Sequence, residues 1–289
     1  MSLITELSRI GAIHKDRLEL FYPRVRDRDD IAVLRDARTE VIVLSQTKHI
    51  SHSYYQKRTE KEIYKGSPSP PCRLEDNIRR LSEFGSYIRN KRWLDFGCGL
   101  GGTLDELASE ASFAVGLEPN KERASIAISN GHSVIDNLAD LETGSLDIIT
   151  MFHVLEHLTE PLITLAKLRM YLKPGGILLV EVPHSRDVLF TLYDCVPFKK
   201  FTFWSEHLVL HTRQSMALVL REAGFEQTEV LGLQRYPLAN HLYWLAEEKP
   251  GGHDVWRFLT NTTLDAEYES ILTHIDRTDS LVAISHAPV

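Results

Sequence analysis

From residue 91 onward the chain alternates between two periods, and this limits its fold more than any other feature. "RWLDF", "FAVGLE", "HSVI", "SLDIITMF" and "ILLVEVP" are apolar runs of strand length. Between them lie "GTLDELASEA", "NKERASIAISNG" and "PLITLAKLRMYL", whose apolar residues recur at helical spacing. Parallel strands cannot be joined by a tight turn and need a crossover of a dozen or more residues, usually a helix. The alternation therefore predicts an α/β fold, a mostly parallel sheet with helices on both faces. A helix in "RQSMALVLREAG" and strands in "FEQTEVLGL" and "SLVAISHA" follow.

Upstream the pattern changes. Leu3, Ile4, Leu7 and Ile10 are spaced for a short amphipathic helix within residues 1–20, and "IAVLRDARTEVIVLS" predicts two short strands around a polar turn. A polar stretch ending in "GSPSPPC" places a boundary near residue 72. The expected organisation is a small α+β extension or cap over 1–72, a main domain over 73–289, and an insertion or lid over 234–278 before the last strand. "RLEDNIRRLSEFGSYIR" is helical in period.

The 289 residues are 43% hydrophobic, enough apolar material for a sizeable core, and carry a net charge of −7. An acidic balance without a basic run argues against a nucleic-acid partner. Cys72, Cys98 and Cys195 have neither zinc spacing nor a paired pattern. No apolar run reaches 18 residues, and the first 20 residues do not resemble a signal peptide. These features lead to the expectation of a cytoplasmic protein without a membrane span.

The chemistry begins at "LDFGCGLGG", which closes a strand and opens a helix. Gly97, Gly99, Gly101 and Gly102 let the backbone approach a ligand. Gly97, Gly99 and Gly102 also satisfy the dinucleotide spacing, so Asp95 decides between ligands. A carboxylate two residues before the first glycine repels a pyrophosphate and attracts an ammonium group. S-adenosylmethionine carries an ammonium, a carboxylate and a sulfonium but no phosphate. Glu118 ends the next strand, 23 residues after Asp95, where an acid can bind ribose hydroxyls.

Taken together, "LDFGCGLGG", "VGLEPN", "LDIITMFHVLEHL" and "LKPGGILLVEVP" resemble, in order and spacing, the successive signatures of class I S-adenosylmethionine-dependent methyltransferases. The resemblance covers roughly residues 75–289. It implies a Rossmann-like sheet of seven strands with the last antiparallel, a place that "SLVAISHA" fits. By position, it implies that Asp95, Gly97, Cys98 and Gly99 hold the methionine part of the cofactor. Glu118 and Pro119 would meet the ribose, Asp136 and Asn137 the adenine, and Phe152 and His153 the reaction centre.

The acceptor is less constrained. Four histidines follow strand ends or lie ahead of the next helix, where ligands sit in open parallel sheets: His153, His157, His184 and His207. Each is a candidate general base for a hydroxyl acceptor. Some small-RNA and quinone-pathway methyltransferases hold a divalent ion in a segment similar to "HVLEH". Here His153, Glu156, His157 and His207 would be the ligands, although a helix start with polar residues is the simpler reading and no metal is the expectation. "FTFWSEHLVLHTRQSMALVLREAGF" and the leader resemble methyltransferases of bacterial saccharide clusters, which implies a carbohydrate or polysaccharide-precursor hydroxyl as acceptor. Methylation of a quinone-like or other small metabolite is the alternative. A cofactor-binding partner that performs no chemistry is a reading of another class. A homodimer is compatible with the aromatic insertion.

Overall fold

The computed structural model describes residues 2–51, 53–57 and 74–289. The boundary expected near residue 72 and the Ser-Pro stretch before it lie outside the described residues. The N-terminal part forms a helix over Leu3–Arg9, then β1 (Leu18–Tyr22), β2 (Val33–Asp36) and β3 (Ile42–Leu44). The first helix is shorter than the 20-residue span that contains it. Gly11, at φ +76°, takes the left-handed conformation just past its end, and residues 18–22 pair as a strand instead.

The main sheet contains β4 (Arg92–Phe96), β5 (Phe113–Leu117), β6 (Val134–Ile135), β7 (Leu146–Phe152) and β8 (Leu172–Pro183). After β9 (Val209–Leu210) come β10 (Glu226–Leu233) and β11 (Ser280–His286). Seven of these form one sheet in the order β10-β11-β8-β7-β4-β5-β6. β11 is antiparallel to both of its neighbours, and β8 through β6 pair in parallel. The sheet is thus the Rossmann-like arrangement expected. Its central strands are apolar on both faces because helices cover both: Leu94, Ile148, Ile149, Met151, Leu178 and Val180 are fully buried.

The leader does not form a sheet of its own. β9, from the chain after β8, pairs with β3 and completes a four-stranded antiparallel sheet, β1-β2-β3-β9. Leu3, Leu7, Ile31 and Val41 share one apolar core with Phe203, Leu208 and Leu210. The leader is therefore fastened beside the segment "FTFWSEHLVLH". The insertion folds as helices over Leu238–Glu247, Gly252–Val255 and Thr262–His274, ending against β11.

One local expectation changes. "FHVLEHL" does not begin an α-helix. β7 ends at Phe152, Leu155–His157 make one 3-10 turn, and the helix starts only at Pro161. His153 has φ +57°, a conformation that costs a non-glycine residue energy and breaks the path from strand to helix. His153 and His157 therefore do not share a helical face.

Candidate active site

A cavity of about 600 Å³ opens at the carboxyl ends of β4, β5 and β7. The loop after β4 forms its floor. Gly97 (φ +84°) and Gly99 (φ +57°) take left-handed conformations, and a Cβ on Gly97 would sit 2.5 Å from Val154 Cγ2. Only glycine lets this backbone face a ligand so closely. Asp95, Cys98, Glu118, Pro119, Phe152 and His153 also line the cavity.

Asp95 is buried at 3% exposure, with Thr150 donating a hydrogen bond to Oδ1 at 2.8 Å. Thr150 in turn accepts from Trp93 Nε1 at 2.9 Å. Burial raises the Asp95 carboxyl to about 6, against the opposing pull of the Thr150 hydrogen bond and Arg80. Among the described residues no cation bonds it directly, and its charge is complementary to an ammonium group. Glu118 accepts from Asn120 N at 2.8 Å and from Gly99 N at 3.0 Å. These two amides fix the carboxylate in the cavity wall.

Asp136 and Asn137, expected at the adenine, do not line the cavity. β6 is only two residues long at the sheet edge, the chain turns outward after it, and both residues are exposed. Asn137 Oδ1 instead caps the next turn by accepting from Ala139 N at 3.0 Å.

His153 is held on both ring nitrogens. Nδ1 lies 3.2 Å from Glu156 Oε1, Nε2 lies 3.0 Å from Glu181 Oε1, and the backbone N–H donates to Glu181 O at 2.8 Å. Burial and nearby Arg235 favour the neutral ring, but the two carboxylates outweigh them and raise its pKa. A ring that donates from both nitrogens has no lone pair for an acceptor proton, so the geometry gives His153 a positioning role rather than that of a base. Glu181, fully buried in β8, also accepts from Arg79 Nη2 at 2.9 Å and lies 3.4 Å from Arg80 Nη2. Arg80 stacks over Phe152, 4.4 Å from the ring centre, in the cavity wall.

His207 differs from His153. It lines the cavity near His157, with ring centres 5.1 Å apart, and among the described residues no hydrogen bond engages its ring. Burial and His157 push its pKa well below the usual value, so the ring is neutral at pH 7. Glu156, His157 and His207 bring one ligand atom each within 4.8 Å of one another. Glu156 is fully buried, yet its Oε2 has no hydrogen-bond partner among the described residues. Burial opposes its ionisation, but His153, His157 and His207 together lower the carboxyl to about 2. Of the four ligands considered from the sequence, three converge. His153 does not join them because its nitrogens serve Glu156 and Glu181.

His184, the fourth candidate base, is fully buried and absent from the wall of the main cavity. Its Nδ1 lies 3.1 Å from Thr278 O, and burial lowers its pKa to about 4 despite Asp276 nearby. It lines a second cavity of about 190 Å³ behind the first. In the aromatic segment, Phe203 is core, whereas Phe201 and Trp204 line the main cavity. From the leader, Tyr55 reaches the cavity as well: its backbone O accepts from Asn120 Nδ2 at 2.9 Å.

Arg80, Arg235 and Glu181 were not singled out in the sequence. The signal for Glu181 was present, since an acid inside "LLVEVP" on a doubly covered strand must be paired. Nothing local marks Arg235, which comes from the insertion and donates to Asp76 on the helix before β4.

Residues 69–230, more than half of the chain, match the family described as "Methyltransferase domain". Among curated proteins, the ubiquinone biosynthesis O-methyltransferase of Aromatoleum aromaticum is 26% identical over 165 residues, covering 52% of this chain and 70% of that protein. The corresponding enzyme of Acinetobacter baylyi is 25% identical over 183 residues, covering 57% and 76%. A SAM-dependent methyltransferase of Thermotoga maritima superposes with TM-score 0.50 at 19% identity, covering 74% of this chain and 91% of that one. One from Archaeoglobus fulgidus gives 0.51 at 17% identity, covering 78% and 97%. These structures are similar in fold. Among the described residues, no helix is long and apolar enough to cross a membrane.

Proposed function

The chain belongs to the methyltransferase-domain family and is an S-adenosylmethionine-dependent methyltransferase, and from that premise we propose that it O-methylates a ring hydroxyl of a small quinone-like metabolite, with His207 as the base. The cofactor, when bound, supplies a methyl group on its sulfonium: the acceptor oxygen forms the new C–O bond as the S–CH3 bond breaks, and S-adenosylhomocysteine remains. The chain's own part is to bind, orient and take the hydroxyl proton.

One observation carries this reading. His207 is neutral and lies in the wall shared by the two cavities, between the place for the cofactor and the space behind it. His153 is occupied by two carboxylates, and His184 is confined to the rear. The saccharide acceptor expected from the leader gains no support from the curated relatives, whose names point to ubiquinone biosynthesis.

A second reading is favoured by the convergence of Glu156, His157 and His207 and by the orphaned Glu156 Oε2. These donors suit a divalent first-row ion, which would supply a Lewis acid for the acceptor hydroxyl. His207 would then be a ligand rather than the base. The test is methyl transfer to ring-hydroxyl acceptors by wild type and by His207→Ala, each with and without a chelator. As a base, His207 leaves wild-type activity chelator-resistant, and its loss lowers kcat by roughly 10²–10⁴-fold with cofactor affinity retained. Activity abolished by chelator and restored by a divalent ion establishes the second reading. If cofactor binds but neither ring hydroxyls nor saccharides are methylated, the non-catalytic reading stands.

A further inference from the structure

Residues 203–208 belong to no helix or strand, although they connect the helix over Val196–Thr202 to β9. Buried backbone groups in such a stretch need partners from elsewhere. The leader provides them. Arg26 donates from its backbone N–H to Phe203 O at 2.8 Å and from Nη1 to Phe201 O at 2.9 Å. Asp27 accepts from Ser205 N at 2.9 Å and from Ser205 Oγ at 2.6 Å. His49 Nε2 lies 2.6 Å from Ser205 O, and Leu44 N donates to Leu208 O at 3.1 Å. Ser205 is only 2% exposed, so the leader grips this stretch from within the protein.

The same stretch puts Trp204 and His207 in the wall of the main cavity. Since no hydrogen bond engages the His207 ring among the described residues, its orientation depends on ring packing. Trp204 meets it edge-on with ring centres 5.3 Å apart, and His157 does so at 5.1 Å. The Arg26 guanidinium in turn lies over the Trp204 ring, 4.9 Å from its centre, and over Phe201 at 5.4 Å. A guanidinium is attracted to an aromatic face and stacks on it through its plane. Arg26 itself does not line the cavity, and it lies outside the residues matched to the family.

We propose that Arg26 is a positioning residue: through Trp204 it fixes the ring of His207 at the cavity wall, so that the leader completes the active site. The proposal rests on the reading of His207 as the base. Because Arg26 does not reach the cavity, its effect on the reaction passes through the rings it touches. A small misplacement of a reacting group is enough to cost roughly 10²-fold in rate.

The test compares full-length Arg26→Ala with Arg24→Ala, which removes the same charge from the same loop. Arg24 pairs with the exposed Asp29 and does not line the cavity. With ring-hydroxyl acceptors, Arg26→Ala is expected to lower kcat by roughly 10–100-fold, with KM held within about twofold. Calorimetric affinity for S-adenosylhomocysteine is retained, which also shows that the variant is folded. Arg26→Lys, which keeps a cation but loses the planar stack, falls between the two. Arg24→Ala behaves as wild type. In a His207→Ala background, Arg26→Ala costs no more than about twofold further, because the group it positions is gone. A readout without acceptor is the NMR signal of the His207 ring in protein saturated with S-adenosylhomocysteine, assigned by its loss in His207→Ala. It shifts in Arg26→Ala and stays in place in Arg24→Ala. An unchanged His207 signal in Arg26→Ala, or a full additive loss of kcat in the double variant, overturns the positioning role. Full activity of His207→Ala overturns the base reading instead, while a shifted ring signal upholds the hold of Arg26 on His207.

Discussion

Two buried carboxylates flank the reaction centre, and their surroundings are opposite. Asp95, at the end of β4, has a neutral hydroxyl as its direct partner, and burial lifts its pKa to about 6. Glu181, in β8, is encircled by Arg79, Arg80 and His153, which overcome its burial and hold it well below the ordinary carboxylate range. The first is a buried acid without a directly bonded cation among the described residues, and the second is neutralised by the fold. The contrast separates two kinds of burial: Asp95 has only a hydroxyl as its direct partner, whereas the cations that satisfy Glu181 are part of the chain.

The same change at the two sites should therefore have opposite consequences. Glu181→Gln strands three cations and is expected to destabilise the protein by about 3–5 kcal/mol, lowering the thermal midpoint by roughly 10 °C. Asp95→Asn keeps an acceptor for Thr150 and should leave the midpoint of the cofactor-free protein unchanged or higher at pH 7.5. Its cofactor affinity should fall about a hundredfold, roughly 3 kcal/mol, by calorimetry. A large loss of stability in Asp95→Asn with cofactor affinity retained would erase the distinction.

A pH series sharpens it further. The Asp95 carboxyl is raised in the folded protein, so cofactor affinity should fall, by up to tenfold per pH unit, as pH drops below about 6. The cofactor-free fold takes up this proton more readily than the unfolded chain does. It should therefore lose stability as pH rises from about 4 to 6 through this group. The lowered Glu181 contributes its full stability above about 4.5 and loses it progressively as pH falls below that. The smallest effect belongs to His153. Its raised pKa means that its contribution is complete below about 6.5 and fades as pH rises through the folded value, a modest drop in midpoint on the alkaline side.

The cavity wall formed by the glycine loop was legible in the sequence because its parts are local. A strand, a glycine turn and a helix start place Asp95, Gly97 and Gly99 within a few residues, and parallel pairing of β4 with β5 brings Glu118 beside them. Asp136 lies outside the cavity wall, exposed after a two-residue edge strand. The acceptor half was less legible. Arg235 reaches the cavity from late in the chain, and Tyr55 from the leader. The fold decides which of four similar histidines is neutral and accessible.

By itself, the sequence determined the parallel sheet, the glycine loop in the cavity wall and the buried acid before it, since periodicity, glycine conformations and charge act over short stretches. Only the tertiary structure decided that "HVLEH" is a turn rather than a helix, that the leader shares a sheet with β9, and that His153 is locked between Glu156 and Glu181 while His207 is not. Those outcomes depend on burial and on partners remote in the chain, and no local pattern encodes the environment that sets a side chain's charge.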